Sequence, residues 1–164
     1  MSATIIRRAR PDDAEHVVRL VKALAAYENE PEETVRLTAD DVRRDGFGER
    51  PRFEVLLAEL AGEVVGFLLF FHNYSTWEGN AGLYIEDLFV EERARGHDLG
   101  RRLMAAAAKI ATARGCRRLD LNVLDWNPTR DFYVHLGGRH MATWLPYRLE
   151  ADAIGTLAAT ADEL

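Results

Sequence analysis

Few residues of this chain could form a disulfide framework or a metal centre. The 164 residues include a single cysteine, Cys116, which excludes an internal disulfide and is typical of proteins in a reducing cytosol. The five histidines are scattered without the spacing of metal ligands, so we expect no metal site. No apolar run approaches the length of a membrane span, and the N-terminus has no apolar signal region. The sequence therefore predicts a cytoplasmic protein with no membrane partner.

The chain also has fewer positively charged than negatively charged side chains. The 21 lysines and arginines are outnumbered by 27 aspartates and glutamates, which gives a net charge of −6. That balance disfavours nucleic acid as a partner, and it mildly favours a cationic substrate through electrostatic steering. The apolar fraction of 48 % is that of an ordinary globular protein, and the chain contains no internal repeat or linker. We therefore predict one globular domain over residues 1–164.

The hydrophobic patterning predicts a mixed α/β protein. The predicted strands cover residues 4–8, 53–60, 63–71, 84–90, 119–124 and, singly or as a pair, 140–149. The predicted helices run from Pro11 to about Tyr27, briefly after Thr38, from near His97 to Arg114, from Pro128 to Gly137, and over 151–164. Residues 72–82 are predicted to form a loop. Helices that interrupt a series of strands predict a sheet covered by helices.

The stretch between the strand ending at Val90 and the following helix has the composition of an anion-binding turn. It contains Gly96, Gly100 and several arginines. The first amides of a helix have no internal partner and carry partial positive charge, so they suit a phosphate or diphosphate. The turn is neither a P-loop nor a dinucleotide fingerprint, because the glycine and lysine spacing of both is missing. On these residues alone, a plain strand-to-helix turn with solvated arginines is the simpler interpretation.

The same turn resembles a known cofactor loop. Arg93-x-x-Gly96-x-x resembles the acetyl-CoA loop of GCN5-related N-acetyltransferases (GNATs), which reads Arg/Gln-x-x-Gly-x-Gly/Ala; here Asp98 occupies the last position. Further segments resemble the diamine (spermidine/spermine) and thialysine N-acetyltransferase branch of that superfamily. They are Leu24–Glu28, Leu37–Thr38 with Asp45–Glu49, Tyr74 with Trp77, Tyr84–Leu88 and Val123–Asn127. An ordered series of motifs is more specific than the loop alone.

The resemblance implies a fold and a cofactor. The GNAT fold has a mixed, mostly antiparallel central sheet flanked by helices, with two parallel strands, here beginning at Tyr84 and Leu119, that splay apart. The implied cofactor is acetyl-CoA, with its diphosphate on the helix that starts near His97. The residues implied in its binding are Leu88, Phe89, Val90, Arg95, Gly96, His97, Asp98, Leu99, Gly100, Arg101, Asn127 and Tyr133. A homodimer involving the C-terminal segment is also implied.

The resemblance further implies direct attack of a primary amine on the thioester in a ternary complex. An amine with a pKa near 10 is mostly protonated at pH 7, so a base must first remove its proton. Glu86 matches the family carboxylate that binds or deprotonates the amine, and Tyr133 matches the tyrosine that protonates the leaving thiolate. A strand amide near Leu88 would donate to the developing oxyanion. Strict alternation would point Asp87 to the opposite strand face from Glu86.

The implied acceptor is a small cationic amine, either a polyamine or diamine or a lysine-like amino acid. Separated carboxylates suit separated ammonium groups, and aromatic rings stack on cations. The residues implied in binding this acceptor are Tyr27, Glu28, Trp77, Glu86 and Asp87.

Two other functions stay open. The chain could acetylate a different acceptor, such as an amino acid, an aminoglycoside or a protein lysine, or it could bind acyl-CoA without catalysis. Individual residues also have simpler interpretations. Phe132 and Tyr133 could be core aromatics, Asn127 could be only a helix cap before Pro128, and Cys116 could be a small buried hydrophobe.

Overall fold

The computed structural model describes residues 3–163, within which it forms five β-strands and five α-helices. The strands are β1 (Thr4–Arg8), β2 (Glu54–Leu60), β3 (Glu63–Ser75), β4 (Asn80–Val90) and β5 (Leu119–Leu121). The helices are α1 (Ala14–Tyr27), α2 (Ala39–Phe47), α3 (Leu99–Ala113), α4 (Thr129–His135) and α5 (Ala151–Ala158). Short 3-10 turns cover Pro11–Asp13, Glu32–Thr34 and Glu92–Ala94. The chain divides into two compact units, one ending at Asn122 and the other beginning at Val123.

The first unit is built on a five-stranded mixed sheet in the order β1-β2-β3-β4-β5. The first three pairings are antiparallel, and β4 pairs with β5 in parallel. The parallel pairing runs only from Leu83 opposite Leu119 to Ile85 opposite Leu121, while β4 continues to Val90. The predicted mixed, mostly antiparallel sheet with two parallel strands that part from one another is therefore confirmed.

The hairpin between β2 and β3 forms where the sequence predicts it. Ala61 and Gly62 both have positive φ, 53° and 84°, which gives the turn the twist that antiparallel strands require. Such turns usually use Asn or Gly at the first position, so Ala61 carries a small backbone strain. The central stretches of the two strands, 55–58 and 64–70, are apolar and buried throughout, as expected for a sheet covered on both faces.

Local capping explains where the helices of this unit begin and end. The Thr38 hydroxyl accepts a hydrogen bond from the Asp41 amide, and the Asp41 carboxylate accepts one from the Thr38 amide, which confirms the predicted capping box of α2. At the C-terminal end of α3, Gly115 has φ 71°, and the Cys116 amide donates a hydrogen bond to the Ala111 carbonyl. This left-handed glycine closes the helix.

The sheet carries helices on two faces. Helices α1 and α2 contribute Val17, Leu20 and Val42 to one buried cluster with Phe67 and Phe89 of the sheet. Alternate strand residues such as Leu68 and Phe70 are equally buried but lie outside that cluster, and α3 packs on the same strands. We infer from this alternation that α3 covers the opposite face. The two layers fix β4 in position at the centre of the unit.

Four sequence predictions are wrong in extent or kind. Residues 72–82, predicted as a loop, mostly continue the β3–β4 hairpin, with Asn73 opposite Gly82 and Tyr74 opposite Ala81. β5 ends at Leu121 rather than at residue 124, and α5 ends at Ala158 rather than near the C-terminus. Residues 140–149 form no strand. A strand requires a neighbour, and within the second unit the described residues offer none.

The second unit contains α4, α5 and the irregular segment between them. α4 ends as predicted at Gly137, where φ is 93° and the Gly138 amide donates to the Tyr133 carbonyl. Many apolar side chains of this unit are exposed, including Leu145, Tyr147 and Leu157. Nowhere in residues 3–163 is a helix both long and apolar enough to cross a membrane.

Candidate active site

The first feature of the site is a β-bulge in β4. Leu69 of β3 pairs with Asp87, but the next residue, Phe70, pairs with Ile85, so Glu86 has no partner on β3. Glu86 is exposed, whereas Asp87 is partly buried. The expectation of strict alternation at Glu86 and Asp87 therefore does not hold across the bulge. Because alternation is broken at the bulge, the Glu86 and Asp87 carboxylates need not lie on opposite faces of the sheet.

The second feature is a group of three carboxylates, Glu28, Glu86 and Asp87, of which Glu28 and Asp87 are partly desolvated. Burial, together with the charges of Glu86 and Glu28, raises the pKa of Asp87 to about 7. Burial, with Glu30 nearby, also raises the pKa of Glu28. Glu28 caps the C-terminus of α1, where the helix dipole disfavours negative charge. A cation bound here would relieve all of these unfavourable interactions, so the arrangement suits an ammonium group.

Aromatic and cationic side chains connect this acidic group to the turn after β4. The Tyr27 ring lies 6.1 Å from the Phe89 ring, centroid to centroid, and the Arg95 guanidinium lies over Tyr27 at 5.0 Å. Tyr27 directly precedes Glu28 at the end of α1. The structure thus brings Tyr27, at the end of α1, against Phe89 and Arg95, which lie more than about 60 residues further along the chain.

The turn after β4 has the backbone of an anion-binding site. Gly96 and Asp98 both have positive φ, 85° and 57°, on either side of His97, whose Nδ1 lies 3.2 Å from the Ala94 carbonyl oxygen. The first amide bonded within α3 is that of Arg102, which donates to the Asp98 carbonyl. The amides of Leu99, Gly100 and Arg101 therefore lie at the open end of the helix.

Asp98 leaves those amides available. Its carboxylate makes no capping hydrogen bond to α3, and the Arg101 guanidinium lies 3.7 Å from it in an exposed pair. The residues present thus fit a diphosphate, with Arg95 and Arg101 as nearby cations. Asp98 places an unfavourable negative charge directly before the open amides.

Two other arginines, Arg93 in the turn and Arg102 in α3, are bound to other residues of the first unit. Arg93 pairs with Glu63 at 2.6 Å and Glu91 at 2.9 Å, and Arg102 donates to Thr4 of β1. Arg93 opens the motif that resembles the cofactor loop, but its charge is already neutralised by carboxylates. Sequence alone gave no signal for the pairings with Glu63 and Thr4, because these partners are distant in the chain.

One edge of β4 is left without a neighbouring strand beyond Ile85. Its other edge pairs with β3 through Leu88 and Phe89, opposite Leu68 and Phe67. Within the described part of the chain, no strand covers β4 from Glu86 to Val90 on the β5 side. Backbone groups along this edge can bind a ligand, which includes the region of the Leu88 amide.

The remaining predicted residues lie elsewhere. Trp77 is exposed in the turn between β3 and β4. In the second unit, the buried Asn127 carboxamide oxygen accepts from the Thr129 amide at 2.9 Å, so its capping function is present. Tyr133 lies on α4 with its ring edge-on to Phe132, 5.2 Å between centroids.

Cys116 is not the buried hydrophobe that the sequence suggested. It is partly exposed, with its sulfur 3.9 Å from His72 Nδ1. The same nitrogen lies 2.9 Å from the Gly82 carbonyl, and Arg114 donates to His72 Nε2 at 2.9 Å. Both ring nitrogens are therefore engaged, with Nδ1 as donor, and the imidazole cannot accept a proton from the thiol. This arrangement gives no nucleophilic dyad.

Comparison with known proteins identifies the family. The family model described as "Acetyltransferase (GNAT) family" matches residues 17–137. The chain is 36 % identical to the thialysine N-epsilon-acetyltransferase of Bos taurus, over 96 % of this chain and 99 % of that protein. It is 30 % identical to the human spermidine/spermine N(1)-acetyltransferase-like protein 1, over 93 % of this chain but only 23 % of that longer protein.

A solved structure agrees with these sequence relationships. An integron cassette protein from V. cholerae superposes with a TM-score of 0.78 and 26 % identity, covering 96 % of this chain and 98 % of that one. The fold, the turn after β4 and the acidic group at its bulge all suit a protein of this kind. The chain belongs to the GNAT family and is an N-acetyltransferase that takes its acetyl group from acetyl-CoA.

Proposed function

We propose that this enzyme acetylates a primary amine of a small substrate that carries a second positive charge, a polyamine or diamine or a lysine-like amino acid. The observation that carries the proposal is the group formed by Glu28, Glu86 and Asp87. Two of these carboxylates have raised pKa values because they are desolvated near other acids. The names of the relatives, which refer to thialysine and to spermidine and spermine, support the same substrate class.

The charge arrangement argues for a dication rather than a simple amine. One ammonium group near Asp87 offsets only part of the repulsion between three carboxylates. A second ammonium group near Glu28, at the negative end of α1, would offset more of it. The Tyr27 ring stacks beneath Arg95, so it forms a wall beside the acidic group rather than a free cation-binding face.

We propose direct transfer in a ternary complex, with each residue in a defined role. Acetyl-CoA supplies the activated acetyl group. The open amides at the start of α3, with Arg95 and Arg101, hold the diphosphate. The amide of Leu88 donates to the oxyanion that develops on the acetyl carbonyl. Tyr133 donates its phenol proton to the departing thiolate, because a phenol with an ordinary pKa near 10 is protonated at pH 7.

The most direct test of the function is a panel of amines assayed by release of the coenzyme A thiol. We expect diamines, polyamines or lysine-like amino acids to react with kcat/KM at least about tenfold above monoamines, since one additional ion pair in a desolvated site contributes roughly 1.5–3 kcal/mol. Glu28→Gln should reduce this preference. Glu49→Gln, an equal change in charge at an exposed position outside the site, should not. Turnover restricted to aminoglycosides or protein lysines would refute the proposed substrate class.

Tyr133→Phe tests the acid. The phenylalanine keeps the ring packing against Phe132, so the melting temperature should stay near that of the wild type. We expect kcat to fall by about 10²-fold, the usual contribution of a general acid, with the coenzyme A dissociation constant unchanged. A wild-type rate in this variant would leave Tyr133 as a packing residue only.

Asp98→Gly tests the diphosphate turn. Glycine adopts positive φ without strain and removes the negative charge beside the open amides. We expect coenzyme A to bind roughly two- to fivefold more tightly by calorimetry, as for the loss of one unfavourable charge at a helix terminus. Asp98→Asn separates the effects, because it removes the charge and also tolerates positive φ. Unchanged or weaker binding in both variants would show that the carboxylate does not oppose the cofactor.

We also propose that the enzyme is a homodimer that uses the second unit. Val134, Leu145, Tyr147, Ile154 and Leu157 are each more than half exposed, and so many exposed apolar side chains in 41 residues are typical of an interface. Sedimentation equilibrium should give twice the chain mass of 18.5 kDa. The mass of one chain at micromolar concentration would contradict this.

A cytoplasmic location remains a prediction from the single cysteine.

A further inference from the structure

We infer that Glu91 is a positioning residue for the cofactor, because it fixes the turn after β4 to the sheet and, through Arg19, to α1. The inference rests on the proposed function in one respect, since it takes the open amides at the start of α3 as the site of the coenzyme A diphosphate. Glu91 acts through the backbone that carries those amides and not by contact with the cofactor.

Glu91 lies at the junction of the sheet and the turn. It follows Val90, the last residue of β4, and its amide donates a hydrogen bond to the Val65 carbonyl at 2.9 Å. Its own carbonyl accepts a hydrogen bond from the Ala94 amide at 2.9 Å, which closes the 3-10 turn that follows. The backbone of Glu91 is therefore bonded to β3 on one side and to the turn on the other.

The Glu91 carboxylate ties this junction to α1. Its side chain is only 17 % exposed and accepts hydrogen bonds from two guanidinium groups. Arg93 Nε donates at 2.9 Å to one carboxylate oxygen, and Nη1 of Arg19, in the middle of α1, donates to the other. The second terminal nitrogen of Arg19 donates to the Val64 carbonyl of β3 at 2.7 Å. The planar fork of one guanidinium thus joins Glu91, β3 and α1.

The turn beyond Glu91 is held against α1 a second time. Ala94 is fully buried, and the Arg95 guanidinium lies over the Tyr27 ring at 5.0 Å. Tyr27 follows Arg19 by eight residues, or about 12 Å along the helix. α1 therefore contacts the turn at two separate points, through Glu91 and through Arg95, before the open amides of α3 begin.

This double attachment matters because a diphosphate is bound by several amides at once, which must all point toward it. A turn that moves freely has to be ordered when the ligand binds, and that ordering costs affinity. A turn that adopts the binding conformation about one fifth of the time binds about fivefold more weakly. Loss of Arg19 or of Glu91 removes the attachment to α1 and leaves the partner charge uncompensated.

The experiment measures the dissociation constant of coenzyme A by calorimetry in Glu91→Ala, in Arg19→Gln and in the double variant. We expect each single variant to raise the dissociation constant about fivefold. The double variant should raise it little further, because both changes remove the same contact. A wild-type value in Glu91→Ala would overturn the inference, and so would additive effects of roughly 25-fold in the double variant.

Arg7→Gln is the matched control. Arg7 lines the same surface cavity as Arg19 and pairs with Asp13 at 2.7 Å and with Glu59 at 2.6 Å, neither of which belongs to the turn. We expect this variant to have a lower melting temperature and a wild-type dissociation constant for coenzyme A. A fivefold rise in Arg7→Gln would attribute the effect to general loosening of the fold and would also overturn the inference.

A thioester without a diphosphate separates positioning from a purely structural role. S-acetylpantetheine carries the same acetyl thioester as acetyl-CoA but lacks the diphosphate and the nucleotide. With the amine that reacts fastest in the panel, Glu91→Ala should lower kcat/KM for acetyl-CoA about fivefold through KM, and leave kcat/KM for S-acetylpantetheine unchanged. Equal losses with both thioesters would contradict a role in positioning the diphosphate turn.

Comparison with Asp98→Gly distinguishes this inference from the proposed diphosphate site. If Asp98→Gly changes the affinity for coenzyme A and Glu91→Ala does not, the diphosphate turn stands and Glu91 has no positioning role. If neither variant changes the affinity, the proposed diphosphate site and the inference both fail. An amine panel that refutes the dication preference leaves the result for Glu91 unaffected, because the calorimetry contains no amine.

Discussion

The pairing of β4 with β3 is the interaction on which the rest of the site depends. It runs along the whole of β4 and is interrupted once, at the bulge that releases Glu86 from the ladder. On its other side, β4 has a parallel partner only as far as Ile85. The strand is thus rigidly held on one edge and open on the other. A short open edge on a strand that is otherwise paired, in a sheet covered by helices, allows a ligand to use backbone groups without exposing a long strand to aggregation.

The two ends of the open part of β4 have opposite electrostatic character. Glu86 and Asp87, with Glu28 from α1, make the upstream end negative. The downstream end leads to Gly96 and to the open amides of α3, which favour an anion. A cationic ligand would therefore be favoured at one end of this short segment and an anionic ligand at the other. The Tyr27 ring, which precedes Glu28 in the chain, packs on Phe89 and lies under the Arg95 guanidinium.

Two arginines near the turn are held by other residues of the first unit rather than by the acidic group. Arg93 and Arg102 belong to the same stretch of sequence as Arg95, but they are held by Glu63, Glu91 and Thr4. Neither arginine is among the groups that set the pKa of Asp87. An arginine that reached Glu28 or Asp87 would lower the pKa values of those carboxylates and compete with a substrate cation.

The sequence was sufficient for features that depend on local chemistry. The hairpin at Ala61 and Gly62, the capping box at Thr38 and the helix end at Gly115 follow from a few adjacent residues, and the structure confirms all three. The parallel partners β4 and β5 were also predicted correctly, from the family resemblance.

Features that depend on distant contacts were missed. The bulge at Glu86 arises from the register between two strands, which no local pattern specifies. Residues 140–149 alternate like a strand but have no strand to pair with in their own unit. The partners of Arg93 and Arg102 come from β1, from the start of β3 and from Glu91. The site residues named from the sequence stay a prediction, whereas the bulge that sets Glu86 apart from Asp87 became visible only in the structure.

The central claim is that the open edge of β4 and the start of α3 together hold the cofactor. A crystal structure of the enzyme with coenzyme A tests it most directly. We expect the diphosphate oxygens to accept hydrogen bonds from the amides between Gly96 and Arg101, and the sulfur to lie beside β4 between Glu86 and Val90. Coenzyme A bound away from this turn, or a turn closed by the Asp98 carboxylate on the same amides, would contradict the claim.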